Sequence, residues 1–238
     1  MNRTLLAVAL AAATCSAHAV PLSTLLQPGG SIAAGGAVFS GWAETSFASS
    51  NGAPIDRDAI DVAGLADGGD DPGPGIVIDF GDQMSFTGSG SPGLRQFVLG
   101  YSVSAPGSRQ IRSTSLAFGD PVSLLSWLSD GSNDLGMGIE SWVYDASDNL
   151  LAHAAIEFSV LNDTMTRNLS DVATFAPQDR IRVETAFRAW SRDVDDAATL
   201  RGVEQRFSHV QAQVPEPASL ALLCLGLFGA AAARRRVR

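Results

Sequence analysis

The chain has 238 residues and a formal net charge of −9, with 25 acidic residues against 16 basic ones that are all arginine. Such an acidic excess disfavours binding to nucleic acid or to an anionic polysaccharide through a basic field. The two cysteines, Cys15 and Cys224, both lie in terminal segments that look like targeting signals. The region between them therefore has no disulfide, no thiolate catalysis and no Cys-ligated zinc site.

The N-terminus has the layout of a secretory signal peptide. Arg3 supplies the positive charge, residues 5–13 form the apolar stretch, and Ala17 and Ala19 fit the small residues of a cleavage site. Cleavage after Ala19 makes Val20 the first residue of the mature protein. The sequence therefore predicts export.

Short segments separated by turn residues follow. The first predicted strand spans residues 37–47, and residues 76–80 form a short buried strand. Between them, the Gly-, Pro- and Asp-rich residues 48–75 are predicted to form a long loop, because they contain few apolar side chains to bury.

The second half of the chain has the clearest strand patterns. Apolar and polar residues alternate with a period of two at residues 97–103, 110–118, 137–145, 150–161, 181–188 and 202–212. The turn at residues 146–149 joins two of these segments into a predicted hairpin. Only residues 121–128 have the pattern of a short helix.

Many short strands with Gly, Pro, Asp and Asn turns between them are typical of an all-β fold. We expect an antiparallel β-sandwich, jelly-roll-like, formed by residues 20–213 as one domain. The signal peptide, residues 1–19, precedes it, and a distinct carboxyl-terminal segment, residues 214–238, follows it.

That carboxyl-terminal segment has three parts in a fixed order. It begins with an extended motif, because two prolines in three residues cannot continue a helix; the motif consists of Val214, Pro215, Glu216 and Pro217. Residues 218–233 are apolar or small, and as a helix they would be about 24 Å long. This length is slightly short for a bilayer span, but snorkelling arginines and local thinning accommodate it.

A basic end completes the segment. Arg234, Arg235 and Arg236 follow the apolar stretch and favour a cytoplasmic C-terminus with a stop-transfer role. Motif, apolar stretch and basic end together resemble the PEP-CTERM sorting signal of Gram-negative bacteria, over about a tenth of the chain. An ordinary membrane anchor that happens to follow Pro-Glu-Pro is the alternative.

The resemblance implies a route for the protein. An exosortase, a membrane-embedded cysteine protease or transpeptidase, would recognise the motif and remove the tail. The protein would be held transiently in the inner membrane as a precursor, and then delivered to the cell surface or the extracellular matrix.

Aspartates of the predicted loop are candidates for a calcium site, because calcium prefers carboxylate oxygens. They are Asp56, Asp58, Asp61, Asp67, Asp70 and Asp71, and the last three lie within five residues. They do not fit the twelve-residue calcium loop with its Gly at position six and Glu at position twelve. We expect a solvated loop and no cofactor, with calcium as the alternative.

Catalytic groups are not evident in the sequence. A glycoside hydrolase needs two facing carboxylates, and Glu140, Glu157 and Glu184 lie on predicted strands, but at positions that should face solvent. His153 and His209 are the only histidines between the targeting segments, and neither has an acid or a nucleophile at a triad spacing. We therefore expect a protein that is not an enzyme, with a secreted hydrolase as the least favoured alternative.

Four tryptophans offer surfaces on which a sugar could stack, namely Trp42, Trp127, Trp142 and Trp190. Trp142 and Tyr144 should share one strand face with Glu140, and Trp190 one with Arg188, which indicates an aromatic outer surface. We expect a structural or adhesive component of the envelope or exopolysaccharide matrix, with a carbohydrate-binding module as the alternative. The expected partners are exosortase, the inner membrane and exopolysaccharide, and not nucleic acid.

Overall fold

Two antiparallel sheets face each other in the computed structural model, which describes residues 19–119, 123–127, 133–194 and 196–212. Sheet 1 contains β1 Val20–Pro21, β4 Asp61–Leu65, β5 Gly75–Thr87, β7 Arg109–Phe118, β8 Leu124–Ser126, β12 Ser170–Gln178 and β14 Ala197–Gln211. Sheet 2 contains β2 Ser31–Ala34, β3 Ala37–Ser49, β6 Gly93–Ser104, β9 Asp134–Tyr144, β10 Leu150–Leu161, β11 Thr164–Asn168 and β13 Arg180–Ser191. A short helix, α1 Leu22–Leu25, and a 3₁₀ turn, Arg57–Ala59, complete the described elements.

The strand order explains how distant segments meet. Sheet 1 has the order β1-β4-β5-β14-β7-β12, with β8 also paired to β14, and sheet 2 has the order β11-β10-β9-β13-β6-β3-β2. Every pairing is antiparallel. The predicted all-β antiparallel sandwich is therefore confirmed.

Two segments differ from their prediction. Residues 48–75 are not one long loop, because they contain the 3₁₀ turn and β4. Ile60, between these two elements, and Val62 of β4, which pairs with β5, are fully buried. The predicted helix at residues 121–128 is also wrong at its centre. Leu124–Ser126 is strand β8, because it pairs with Ala197–Thr199 of β14, some 70 residues later in the chain.

Aromatic side chains fill the space between the sheets. The Tyr101 ring stacks on Trp42 with centroids 4.7 Å apart, and Phe39 and Phe207 pack around this pair. A second group, formed by Phe80, Phe97 and Phe187, lies deeper along the same core. Burial of such side chains is the main stabilising term of a domain without disulfides.

A polar network crosses the middle of this apolar core. Gln205 of sheet 1 is 2% exposed, and its Oε1 accepts hydrogen bonds from Tyr101 Oη (2.7 Å) and Thr185 Oγ1 (3.2 Å) of sheet 2. Its Nε2 donates to Ser141 Oγ (2.8 Å) and Thr114 Oγ1 (3.2 Å). All four hydrogen-bonding positions of the amide are thus used, as burial of a polar group requires.

The last strand connects the two ends of the sandwich. β14 ends at Gln211, opposite Arg109, and the Ala212 N–H donates to the Ser108 carbonyl (2.7 Å). We call this end, which also holds the turns at residues 105–108 and 145–149, the exit end, because the chain leaves the sandwich there. The opposite end, which holds Asp134, Arg192 and the turn at residues 88–92, is called the far end.

Candidate functional site

The outer face of sheet 2 carries two adjacent rows of side chains that run across the strands. The first, the aromatic row, is formed in register by Leu94, Trp190, Gly136, Ser159 and Thr166. The second, the polar row, is formed by Gln96, Arg188, Gly138, Glu157 and Asn168. The rows are two residues apart on each strand, so their side chains point to the same face.

Trp190 lies across β9 because that strand has glycine where its neighbours have side chains. A Cβ on Gly136 would lie 2.4 Å from Trp190 Cζ2, and a Cβ on Gly138 would lie 3.6 Å from Cζ3. The benzene ring of the indole therefore rests over both glycines. A glycine inside a strand often marks such a close approach.

Two grooves flank Trp190 on this face. The larger, of about 490 Å³, borders Leu94, Gln96, Asp134 and Arg192, and the smaller, of about 220 Å³, borders Glu140, Glu157, Thr166 and Asn168. Trp190 and Arg188 border both grooves. We call the two grooves together the Trp190 trench.

The charged groups of the trench are largely paired. Arg188 donates to Glu140 Oε1 (2.7 Å), and the other oxygen of Glu140 lies 3.7 Å from His153 Nε2. Beside the larger groove, Arg192 lies 4.0 Å from Asp134. The Arg188 Nε atom is buried and has no partner among the described residues. The trench thus presents donors and acceptors beside an aromatic ring, without a field of one sign.

The other aromatic residues of this outer face are in contact with neighbouring side chains. The Trp142 and His153 rings lie 5.3 Å apart, and the Arg182 guanidinium lies 4.1 Å above the centre of the Tyr144 ring, a cation–π contact. Along β9, Trp142 is four residues from Gly138, the nearer of the two glycines beneath the Trp190 ring, which corresponds to about 13 Å. Trp190 is therefore the aromatic residue of this face that borders a groove.

The remaining tryptophans lie elsewhere. Trp42 is 7% exposed and belongs to the core, and Trp127 follows the short strand β8 of sheet 1. The predicted aromatic outer surface therefore contains Trp142, Tyr144 and Trp190, but these residues occupy two separate places.

The three glutamates considered for hydrolysis lie on the outer face, as their alternation predicted. Glu184 pairs with Arg182 (3.4 Å), whereas Glu140 and Glu157 border the smaller groove from diagonal positions on β9 and β10. Diagonal positions are about 7–8 Å apart, with their Cβ atoms somewhat closer. Glu140 is bound by Arg188, and Glu157 accepts a hydrogen bond from Ser159.

Three of the six aspartates considered for calcium pair with arginines of sheet 1. Asp67 pairs with Arg206 (2.8 Å), Asp70 with Arg109 (2.9 Å) and Asp71 with Arg112 (3.3 Å). The hydrogen bond from Arg206 is the main reason why the pKa of Asp67 is lowered. Within residues 19–119, 123–127, 133–194 and 196–212, no group of three or more His, Cys, Asp or Glu is placed to hold a metal ion.

The two histidines have opposite environments. His153 is exposed beside Trp142 and Glu140, as predicted for the outer face. His209 is 2% exposed, and neither ring nitrogen has a partner among the described residues. Burial, together with the positive charge of Arg109, lowers the pKa of His209, and the charge of Asp70 acts in the opposite direction. The histidines are far apart on different sheets and form no triad.

Several residues of the trench were not singled out from the sequence. Gln96 and Asn168 contribute side chains to it, and Gly136 and Gly138 make room for Trp190. The two glycines of the Gly136-Met137-Gly138 stretch were the available signal, because glycines at alternate positions clear one face of a strand.

The predicted targeting residues fall mostly outside the described part of the chain. Ala17, the motif Val214 to Pro217, the apolar residues 218–233 and the arginines 234–236 are not described, whereas Ala19 lies exposed just before β1. In the part that the structure describes, no helix is long and apolar enough to cross a membrane.

Comparison with known proteins identifies the carboxyl-terminal segment. Residues 213–236 match the model of the PEP-CTERM protein-sorting motif, so the resemblance drawn from the sequence is confirmed for this segment. No curated protein matches the chain. The motif marks the chain as an exported protein that is sorted to the cell surface through the exosortase route.

Solved structures resemble the chain only loosely. The TmCBM61 structure in complex with β-1,4-galactotriose has 14% identity and a TM-score of 0.26 over 72% of this chain and 89% of its own. The enzymatically active domain of tailspike protein 4 of bacteriophage CBA120 has 12% identity and a TM-score of 0.27, over 72% and 20%. A study of carbohydrate-binding modules of the β-sandwich superfamily supplies a third, with 9% identity and a TM-score of 0.23, over 74% and 58%. Likenesses this low assign neither a ligand nor an activity.

Proposed function

We propose that this chain is a non-catalytic surface protein that binds polysaccharide through the Trp190 trench and acts as a structural or adhesive component of the envelope or exopolysaccharide matrix. The observation that carries this proposal is the indole of Trp190, which lies between two open grooves lined by guanidinium, amide and carboxylate groups. An aromatic ring binds the apolar face of a sugar, and neighbouring polar groups bind its hydroxyls. We also propose that the connections between the strands of the sandwich are jelly-roll-like.

Binding to polysaccharide tests this function directly. The secreted protein should sediment with the exopolysaccharide of its own producing cells, and Trp190→Ala should reduce the bound fraction. Trp142→Ala is the matched control, because it removes a tryptophan from the same outer face outside the trench. Absence of sedimentation of the unaltered protein would contradict the proposed function.

The finer details of sorting belong to the same proposal. The signal peptide is removed after Ala19, residues 218–233 hold the precursor in the inner membrane, and Arg234, Arg235 and Arg236 retain it there. An exosortase then cuts at or near Pro215 to Pro217. Mass spectrometry of the secreted protein should show a first residue of Val20 and a last residue in that motif, and an intact Arg238 would contradict the processing step.

One observation favours a second function, that of a secreted hydrolase. Glu140 and Glu157 both border the smaller groove from diagonal positions on neighbouring strands, and a glycoside hydrolase needs two carboxylates that face one site. The ion pair between Glu140 and Arg188 argues against a catalytic role, because Arg188 already occupies one oxygen of that carboxylate. Prolonged incubation should leave the length of the exopolysaccharide unchanged. Shortened chains with the unaltered protein, but not with Glu157→Gln, would establish the hydrolase instead.

A further inference from the structure

We infer that the Trp190 trench binds the interior of an extended, uncharged polysaccharide chain, which lies across the strands with one sugar ring on Trp190 and its neighbours in the two grooves. This inference rests on the proposed function and names the class of ligand. It is carried by the continuity of the trench, its hydrogen-bonding groups and its charge.

The trench continues on both sides of Trp190. The larger groove lies toward β6 and the smaller toward β10 and β11, so the site crosses β6, β13, β9, β10 and β11. Four strand spacings of about 4.8 Å give a length of about 19 Å. A site for a chain end would be closed on one side of the aromatic ring, whereas here a groove lies on each side, one reaching Ser50 after β3 and the other reaching Thr166 and Asn168 of β11. It therefore fits a chain that passes over Trp190 and continues in both directions.

Trp190 is held in place rather than free to rotate. Its ring rests over Gly136 and Gly138, and Ser159 packs beside Gly136, where an added Cβ would lie 2.6 Å from the Ser159 Cβ. A ring fixed before binding loses little conformational freedom when a sugar stacks on it. Gly136 is thus a positioning residue for Trp190.

The polar row supplies groups that are suited to hydroxyls. The side-chain amide of Gln96 makes no hydrogen bond with another described side chain or backbone group, and the partly exposed side chain of Arg188 borders both grooves. These groups lie on neighbouring strands in one row, beside the aromatic row. A sugar hydroxyl both donates and accepts, so it satisfies an amide and a guanidinium at once. Rings stacked on the aromatic row would thus place hydroxyls over the polar row.

Charge determines which polysaccharides fit. Arg188 is neutralised by Glu140 and Arg192 by Asp134, while Glu157 adds a further carboxylate to the smaller groove. The chain as a whole has a net charge of −9. A uronate or sulfated chain would meet no unpaired cation in the trench and would be repelled by the protein at low salt. An uncharged chain avoids both costs.

Calorimetry with oligosaccharides of defined length tests the inference. The probes are the linear series from monosaccharide to hexasaccharide of cellulose, xylan and mannan, with hexagalacturonate as the charged chain. We expect at least one neutral series to gain about tenfold or more in affinity between the monosaccharide and the hexasaccharide, which corresponds to about 1.4 kcal/mol. Hexagalacturonate should bind more weakly than that hexasaccharide.

Matched variants connect this binding to the trench. Trp190→Ala should weaken hexasaccharide binding about tenfold or more, and Gly136→Ala should weaken it by displacing a ring that is still present. Gln96→Ala removes a partly exposed amide of the polar row and should also weaken hexasaccharide binding. It serves as the second variant if Gly136→Ala does not fold. Trp142→Ala should bind as the unaltered protein does, and circular dichroism controls for folding.

The outcomes separate the inference from the proposed function. Equal affinity for a monosaccharide and a hexasaccharide, tighter binding of hexagalacturonate, or full binding by Trp190→Ala would each overturn the inference, although the protein still bound its own exopolysaccharide. Failure to bind every neutral series would overturn it as well. Failure to bind the exopolysaccharide would remove the proposed function itself.

Discussion

His209 is a neutral side chain that the fold has enclosed. It is buried without a partner for either ring nitrogen among the described residues, and its backbone N–H donates to the Asp70 carbonyl (2.8 Å). Its lowered pKa, due first to burial and then to Arg109, means that the unfolded chain binds a proton more readily than the folded one. The contribution of His209 to stability is therefore present above the unfolded pKa of about 6.5 and is lost as the pH falls below it.

Urea unfolding at several pH values measures this effect. The free energy of unfolding should decline between pH 7.5 and pH 5, with a slope from His209 of at most about 1.4 kcal/mol per pH unit. His209→Leu should flatten the decline, whereas His153→Gln, which alters an exposed histidine, should retain it. An equal decline in His209→Leu would contradict this account.

Gln205 is a residue whose replacement should be costly although it is polar. Gln205→Leu leaves four buried partners without their hydrogen bonds, on Tyr101, Thr114, Ser141 and Thr185. We expect a loss of about 3 kcal/mol in the free energy of unfolding, because each stranded buried group costs about 1–3 kcal/mol and partners re-pair in part. Gln211→Leu, on an exposed residue of the same strand, should stay within about 0.5 kcal/mol. If Gln205→Leu lowered the free energy of unfolding by less than Gln211→Leu does, the network would not stabilise the fold.

At the scale of elements, the segment of residues 66–74 behaves as a strap over the end of β14. Backbone bonds hold it there, from Phe207 N–H to the Pro74 carbonyl (2.9 Å) and from His209 N–H to the Asp70 carbonyl. Three aspartate–arginine pairs add to these bonds, but their aspartates are 61–78% exposed, so each contributes little stability. The carboxylates are thus used in pairing with sheet 1 rather than gathered around one point.

Thermal melts with calcium and with chelator test whether this segment also binds calcium. Because Asp67, Asp70 and Asp71 have separate arginine partners, we expect the same melting temperature in millimolar calcium and in chelator. A rise in calcium that disappears in Asp70→Asn, with Asp82→Asn as a control for an exposed pair at another site, would establish a calcium site.

Elements that bury one face were predictable from the sequence, and elements defined by a distant partner were not. The alternation at residues 181–188 corresponds to β13, whose alternate residues Ile181, Val183 and Phe187 are buried. By contrast, β12 has no buried residue and lies at the edge of sheet 1, so its sequence has no alternating row of buried apolar residues. β8 is a strand only because β14 lies beside it. Local periodicity contains no information on such a partner.

The candidate site shows the same limit. That Trp190 and Arg188 share a strand face follows from their spacing alone. That Gly136 lies opposite Trp190, and Gln96 opposite Arg188, depends on the register of three strands, which the sequence does not contain. The trench therefore becomes visible only in the folded chain, whereas the sorting motif, a contiguous stretch, was predictable in full.

For the molecule as a whole, the candidate site and Ala212, the last described residue before the sorting motif, lie at opposite ends of the sandwich. β13 runs from Arg180 at the exit end to Trp190, ten residues or about 33 Å away, and the larger groove opens between Trp190 and Arg192 at the far end. The sorting motif begins at residue 213, directly after Ala212 at the exit end. The trench thus lies on the side of the sandwich away from the point where the described chain ends.

This arrangement predicts that attachment does not affect binding. The full-length chain reconstituted in liposomes should bind exopolysaccharide with the same affinity as the secreted form, since the trench lies at the opposite end of the sandwich from Ala212. Liposomes carrying full-length Trp190→Ala are the control for polysaccharide that adheres to lipid. Loss of binding by the unaltered full-length chain would show that the membrane covers the trench.

The position of β14 also has a mechanical consequence. It is fifteen residues long, lies inside sheet 1 with β5 on one side and β7 and β8 on the other, and ends where the chain leaves the sandwich. A pull on the carboxyl end while polysaccharide holds the far end acts along this strand, so its lateral hydrogen bonds are sheared together rather than peeled one after another. Resistance to such a pull depends on the rate of unfolding and not on the equilibrium free energy. Under tension, the lifetime of the folded protein therefore depends on the strength of the hydrogen bonds that join β14 to its neighbouring strands.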